Sequence, residues 1–181
     1  MQAELETDLK KCAEMQRQAI AMLGDITQET AQLAANLHSN LAYTYYRMHQ
    51  LELAKTHQEQ SLYLLQNYQT EGLHDLLTAY TNYSVMLTDL GDPKKGYEAL
   101  QKIEEIIRKN NSDDCLDYAN VQQSMGHLAI CMGQRDRAKE HFRKALEIYR
   151  EAYEDSPDCL NQMEANIQQA LENNRMFALP V

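Results

Sequence analysis

His127 and Cys131 are the two side chains whose types and spacing come nearest to catalytic chemistry. Four residues apart on a helix, they would share one face, where an imidazole can serve as base for a thiol nucleophile or both can bind a metal. No orienting carboxylate or third ligand follows at the same spacing. We therefore interpret them as a histidine beside a half-buried thiol.

The rest of the sequence lacks the short motifs that mark common catalytic sites. It contains no HExxH, GxSxG, CxxC or glycine-rich phosphate loop. Cys12, Cys115 and Cys159 lie far apart without a histidine at ligand spacing, so neither a zinc site nor a disulfide framework is indicated. We expect reduced thiols in a cytoplasmic protein, and neither enzyme activity nor a cofactor or bound metal.

Charge and composition narrow the class of partner and the class of fold. The 27 acidic and 17 basic residues give a net charge of -10, which repels nucleic acid and anionic lipid. No apolar run is long enough to span a bilayer, and the start MQAELETDLKK does not have the form of a signal peptide. Only 6 Gly and 3 Pro punctuate the chain, which predicts an all-α protein with short turns.

The helices are predicted to follow a repeat of 42 residues, since a fixed period is the sign of stacked structural units. Small residues are required where two antiparallel helices approach most closely, because a longer side chain would push the backbones apart. Two sets of small residues recur at this interval, the second twelve residues after the first: Ala42, Ser84 and Gly126, then Ala54, Gly96 and Ala138.

Each unit is predicted to be a helical hairpin whose first helix carries apolar residues at helical spacing. Shifting Ala54 back by 42 reaches Cys12, so the chain is expected to begin in mid-repeat, and shifting Gly126 forward reaches Gln168 in a helix that acts as a cap. Eight helices are predicted, near 3–23, 27–48, 51–68, 72–90, 93–109, 113–132, 135–153 and 158–174. In a single domain of residues 1–181 they form a half repeat (3–23), full repeats (27–68, 72–109 and 113–153) and a capping helix (158–174), followed by an apolar tail (175–181).

The third unit, SMGHLAICMGQRDRAKEHFRKALEIY, resembles a tetratricopeptide repeat (TPR). The residues at the family's spacing are Met125, Gly126, Gly133, Ala138, Phe142 and Ala145. The interval of 42 and the segment LHSNLA resemble the long-helix repeats of kinesin light chain, and similar repeats occur in Rap-type bacterial peptide receptors. The resemblance implies a right-handed superhelical solenoid of antiparallel helix hairpins whose first helices line a concave groove.

The TPR register also implies which residues line that groove. One of its columns repeats small polar side chains at 40, 82, 124 and 166, three of them asparagines that can both donate to and accept from the backbone of an extended peptide. The alternative is that these asparagines join neighbouring helices or face solvent. The candidate groove residues are Ser39, Asn40, Tyr43, Tyr46, Arg47, Asn82, Val85, Asp89, Gln123, His127, Ile130, Asn166 and Gln169.

Three hypotheses for function follow. The first is an interaction module that binds an extended peptide or a helix of a protein partner. The second is a peptide-responsive regulator within a larger protein. The third is self-association as a homodimer, through the apolar tail or through an apolar stripe on the N-terminal half repeat that would include Leu9, Met15, Ile20 and Leu23 in some combination. Arg47 is the single cationic residue of the groove columns, which argues against a clamp for a free carboxylate.

Overall fold

A computed structural model describes residues 2–68, 73–110 and 115–173 of the chain. Within these ranges it consists of eight α-helices without a strand, which confirms the predicted all-α class and the number of helices. The tail at 175–181 lies outside the described residues. The helices are α1 (Gln2–Met22), α2 (Ala31–Arg47), α3 (Leu51–Asn67), α4 (Leu73–Asp89), α5 (Pro93–Lys109), α6 (Leu116–Cys131), α7 (Arg135–Ala152) and α8 (Pro157–Asn173).

The start of α2 differs most from the predicted helix, which began at residue 27. The Thr27 backbone N–H donates to Thr30 Oγ1 at 2.9 Å, and Thr27 O accepts from the backbone N–H of Ala31 at 2.9 Å. A threonine hydroxyl offers the backbone a local partner that competes with helical hydrogen bonds. Residues 28–30 therefore form a separate turn, and the helix begins at Ala31.

The chain forms two compact units, residues 1–91 with α1 to α4 and residues 92–181 with α5 to α8. In the first unit α2 and α3 pack most extensively, α1 packs on α2 and α4 packs on α3. In the second unit α6 and α7 form the most extensive pair, α5 packs on α6, and α8 packs on both α7 and α6. The division into a half repeat, three full repeats and a cap stays a prediction.

The small residues of the 42-residue repeat lie where helices meet. Ala42 and Ala54 are fully buried in one apolar cluster of the first unit. Ala138 is fully buried in the second unit, in a cluster that contains Phe142. Gly126 lies under the ring of Phe142, where even a β-carbon has no room. Close helix packing at these positions explains why their side chains are small.

Another set of equivalent positions in the 42-residue repeat lies in the turns that follow α2, α4 and α6. His49, Gly91 and Gly133 stand 42 residues apart, and all three have positive φ, at 56°, 88° and 73°. After α2 and α6 the next residue donates its backbone N–H five positions back, from Gln50 to Tyr45 O at 2.9 Å and from Gln134 to Ala129 O at 2.8 Å. This is the Schellman ending of a helix, which requires a left-handed residue.

Candidate functional site

In the first unit α2 and α4 lie side by side and run in the same direction. Near their starts Gln32 Nε2 donates to Asp75 Oδ2 at 2.7 Å, and at their ends the Tyr46 hydroxyl donates to Asp89 Oδ2 at 2.6 Å. Between these bonds Met86 of α4 is buried in the same apolar cluster as α2 side chains. The two helices therefore present one joint surface.

One stripe of each helix forms this surface, which we name the α2–α4 face. The α2 positions are 33, 36, 40, 43 and 47, whose spacing keeps them on one side of the helix, opposite the buried alanines of α2. The α4 positions are 78, 82, 85 and 89, again on one side. The α2–α4 face consists of Leu33, Asn36, Asn40, Tyr43, Arg47, Thr78, Asn82, Val85 and Asp89.

Uncharged side chains occupy the middle of the α2–α4 face. Asn40 is exposed, while Tyr43, Asn82 and Val85 are half-buried. Leu33 is 53% exposed although it is apolar. The centre thus combines amide groups with aromatic and aliphatic surface, which is what a peptide backbone and its side chains require.

Charges lie at the end of the α2–α4 face where α2 and α4 finish. Arg47 donates to the Tyr43 hydroxyl at 3.2 Å, and its guanidinium carbon lies 5.8 Å from the centre of that ring. Burial and the neighbouring Asp89 raise the pKa of Tyr46 to about 12, so its hydroxyl remains a neutral donor to that carboxylate. Arg47 and Asp89 are both exposed.

Other candidate groove residues lie against the second helix of their hairpin or in the core. The Ser39 hydroxyl donates to Gln58 Oε1 at 3.4 Å, toward α3. Gln123 Oε1 accepts from the Tyr149 hydroxyl of α7 at 2.8 Å. Ile130 is 2% exposed and belongs to the core of the second unit.

His127 is 8% exposed, and its ring stands edge-on to Phe142 with the ring centres 5.2 Å apart. Burial lowers the pKa of His127, so the imidazole is held in its neutral form. Cys131, which ends α6, is exposed. Among the described residues no group of three or more His, Cys, Asp or Glu side chains is placed to hold a metal ion.

The remaining candidates lie on α8 and in the asparagine column. Asn166 is half-buried and accepts from Gln162 Nε2 at 2.9 Å on the same helix, while Gln169 is exposed. Ser124, which takes the place of an asparagine, is buried and donates to Asn120 O of its own helix. The structure thus brings two of the column's asparagines, at 40 and 82, onto one surface of the first unit.

Leu33, Asn36 and Thr78 belong to the α2–α4 face although sequence reasoning did not include them. The signal was present, because Leu33 precedes Asn40 by two helical turns and Asn36 precedes it by one. The TPR register considers only columns near the small residue at 42, and these positions lie beyond it. Side-chain links between hairpins, such as Gln32 with Asp75, need the packed structure to be found.

A buried chain of hydrogen bonds crosses α5, α6 and α7 in the second unit. Gln122 Nε2 donates to Glu104 Oε1 at 2.9 Å, so Gln122 Oε1 is left to accept from His141 Nδ1 at 2.7 Å. His141 Nε2 then accepts from the Tyr97 hydroxyl at 2.6 Å. Each donor faces an acceptor, and burial together with Lys144 lowers the pKa of His141.

Comparisons with known proteins match part of the chain to a repeat family and the fold to two solved structures. Residues 75–151 match the family model described as tetratricopeptide repeat. Among solved structures, that of Podosopora anserina putative kinesin light chain nearly identical TPR-like repeats matches with a TM-score of 0.71 and 16% identity, over 81% of this chain and 69% of that one. BtubC (BKLC) from P. vanneervenii matches with a TM-score of 0.65 and 13% identity, over 99% and 76%.

The search of curated proteins gave no match to this sequence. At 16% and 13% identity the two structural likenesses show the fold. Together with the family match over residues 75–151 they support the predicted resemblance to tetratricopeptide repeats. No helix in the described ranges is both long and apolar enough to cross a membrane.

Proposed function

We propose that this chain binds an extended peptide segment of a protein partner on the α2–α4 face. TPR repeats are in general protein–protein interaction modules and non-enzymatic scaffolds. The observation that carries the proposal is the placement of Asn40 and Asn82 on two parallel neighbouring helices, beside Tyr43 and Val85. Binding there requires no chemistry beyond hydrogen bonds and apolar contact.

The asparagines matter because a peptide loses water from its backbone amides when it binds. An amide left unpaired in the bound state costs about 1 to 3 kcal/mol. An asparagine side chain can accept from a backbone N–H and donate to a backbone C=O at once. Asn40 and Asn82 would pair with the peptide backbone, and Leu33, Tyr43 and Val85 would contact its side chains.

The charges on the α2–α4 face argue for a segment that is uncharged in its middle. Arg47 is the one cation of the face, and it already contacts Tyr43, while the Asp89 carboxylate accepts from Tyr46. A single cation beside a carboxylate does not provide the several donors that a peptide's terminal carboxylate needs. The partner segment would therefore be internal to its protein rather than a free C-terminus.

The test begins with a random peptide library displayed on phage and selected on the purified full chain. Affinities of a selected peptide are then measured by isothermal titration. Asn40→Ala and Asn82→Ala should each weaken binding by about 1 to 3 kcal/mol with little change in stability. Asn67→Ala on α3 is the matched control, and Lys144→Ala on α7 is a second one.

Unchanged affinity for Asn40→Ala and Asn82→Ala, together with loss for Asn67→Ala or Lys144→Ala, would move the site off the α2–α4 face and contradict the proposal. A library that yields no binder to the full chain at micromolar concentrations would also count against it. Exposure of α2 to amide exchange, measured with and without peptide, gives an independent map of the contact.

Self-association is a second candidate function, and one observation favours it. On α1, Met15 is 70% exposed and Met22 is 86% exposed, and they stand seven positions apart on one side of the helix. Ile20 packs against the core of the first unit, and Leu9 and Leu23 are half-buried, so they offer less surface. Two exposed methionines give a partner helix an adaptable apolar stripe.

A further inference from the structure

Two histidines meet between α2 and α3 in the first unit. His38 Nδ1 and His57 Nδ1 lie 3.0 Å apart, and both side chains are half-buried. The His57 ring is stacked on Tyr45, with ring centres 5.5 Å apart and planes 14° apart. One Nδ1 must carry a hydrogen that the other accepts, because two hydrogens or two lone pairs would repel each other at this distance.

The geometry of the pair suits a proton rather than a metal ion. The ring centres are 5.2 Å apart, about as far as the 3.0 Å contact between nitrogens allows, so the two nitrogens point at each other. A metal needs both nitrogens to aim at a common point about 2.0 to 2.1 Å from each, to one side of the line between them. The positive charge of Arg17 also acts on His57.

The α6–α7 hairpin has a different residue at one of the two equivalent positions. His38 and His57 stand 84 residues before Gln122 and His141, two intervals of 42. There the amide oxygen of Gln122 accepts from His141 Nδ1 at 2.7 Å. The α2–α3 hairpin thus holds a second titratable ring, His38, where the α6–α7 hairpin holds an amide that cannot gain a proton at ordinary pH.

Counting protons shows how the pair responds to acid. In the neutral pair one imidazole donates through Nδ1 and its Nε2 is free. A first added proton goes to that Nε2, so the Nδ1–H to Nδ1 bond is kept and becomes charge-assisted. A second proton can only go to the accepting Nδ1, and the bond between the rings is then lost.

We propose that the His38–His57 pair is a proton-controlled link that holds α2 against α3 until both imidazoles are charged. At the second protonation α2 and α3 lose this bond and hold two like charges that face each other. Because Asn40 and Tyr43 follow His38 on α2, the event would loosen the helix that carries half of the α2–α4 face. The link does not depend on what that face binds.

The groups around the pair oppose its double protonation. From α1, Arg17 acts on His57 and is itself ion-paired with Glu14, and from α2 the Tyr45 ring covers His57. Burial lowers the pKa of His38, and the His57 charge lowers it further; burial and then Arg17 lower the pKa of His57. An unfolded chain binds both protons near the ordinary histidine pKa of about 6.5. Stability is thus lost as pH falls below that value.

The test is denaturant unfolding of the full chain between pH 7.5 and 5, in the parent and in His38→Gln. Glutamine reproduces the arrangement of the α6–α7 hairpin, so the bond to residue 57 is kept and the competing proton is removed. The parent's unfolding constant should rise with acid by up to tenfold per pH unit more than that of His38→Gln, the slope of one extra proton in the unfolded state. Gln60→Ala, an exposed and uncharged change on α3, should show the same pH dependence as the parent.

Equal pH dependence in the parent and His38→Gln overturns the proposal. A melting temperature that equimolar zinc chloride raises in the parent but not in His38→Gln would assign the pair to a metal and also overturn it. If His38→Gln does not fold at pH 7.5, imidazole ¹⁵N titration of the parent decides. Faster amide exchange in α2 and α3 at the second protonation supports the link, and unchanged exchange refutes it.

Discussion

Gly126 of α6 lies so close to the ring of Phe142 on α7 that a β-carbon at position 126 would stand 2.5 Å from Phe142 Cε1. Phe142 is 1% exposed and belongs to the core of the second unit, so its ring has little freedom to move aside. This contact lies at a position where the repeat of small residues predicted a close approach of two helices.

Gly126→Leu should therefore lower the free energy of unfolding by several kcal/mol, and Gly126→Ala by about 1 to 3 kcal/mol, because overpacking forces helices apart. Thermal or denaturant unfolding measures both. Met125→Leu is the matched control, since Met125 is also buried but the substitution conserves side-chain volume. It should lower the free energy of unfolding by less than about 1.5 kcal/mol. A Gly126→Leu variant as stable as the parent would show that α6 and α7 are not packed this closely.

Replacing His49 with glycine should stabilise the folded chain. Its φ of 56° is left-handed, whereas Gly91 and Gly133 take this conformation at the equivalent turns without a side chain. Relief of left-handed strain is worth about 1 to 2 kcal/mol, and the greater backbone entropy of unfolded glycine offsets about 0.5 to 1 kcal/mol. We expect His49→Gly to raise the free energy of unfolding by about 0.5 to 1 kcal/mol in urea titrations.

The reverse change at the equivalent turn is the control for that expectation. Gly133→Ala should destabilise by about 1 kcal/mol, since the strain comes from φ alone: a β-carbon there would meet no other atom within 4 Å. If His49→Gly and Gly133→Ala shift stability in the same direction, positive φ is not what governs these turns.

His141 should resist protonation and keep its hydrogen on Nδ1. Its folded pKa is lowered by burial, so below the ordinary value of about 6.5 the unfolded chain binds more protons than the native one. Its contribution to stability is thus complete above that pH and decreases as pH falls. Long-range ¹H–¹⁵N correlation spectra should show a neutral Nδ1–H tautomer at a pH somewhat below the ordinary histidine value of about 6.5. A His141 that titrates near the ordinary value of about 6.5 would contradict the hydrogen-bond assignment.

Dimerisation through α1 can be tested by placing charge on its exposed stripe. If Met15 and Met22 form the contact, sedimentation velocity should show a concentration-dependent dimer that Met15→Lys and Met22→Lys each weaken by at least tenfold, because burying an unpaired ammonium is costly. Leu53→Lys on α3, another exposed apolar site, should leave the dimer unchanged. A chain that stays monomeric at high concentration removes this candidate function.

The helices were predictable because two columns of the 42-residue repeat have physical causes that act locally. Small residues such as Ala42 mark close helix contacts, and residues with positive φ such as Gly133 mark where a helix ends and a turn begins. The start of α2 was not predictable from periodicity, because one hydroxyl contact between Thr27 and Thr30 decides it. A local bond between a side chain and the backbone leaves no periodic signal in the sequence.

The repeat register predicted that some asparagines share one surface, but it did not predict which way every side chain in the groove columns points. Asn40 and Asn82 lie on the α2–α4 face, near the middle of their stripes. Ser39 and Gln123, which stand three residues before the small column, lie at the border with the second helix, and each bonds to that helix instead. His38 and His57 stand nineteen positions apart in the chain. Their contact depends on how α2 packs against α3, which helical periodicity does not predict.

Glu104 gives the hydrogen-bonded chain of the second unit a fixed polarity. Its carboxylate can only accept, so Gln122 must turn its nitrogen toward it, and each later donor is then determined as far as Tyr97. One end residue therefore removes the two-fold degeneracy that an amide and an imidazole would otherwise share. A glutamine at position 104 would restore that degeneracy, and the three helices would then hold two superimposed hydrogen arrangements of similar energy rather than one.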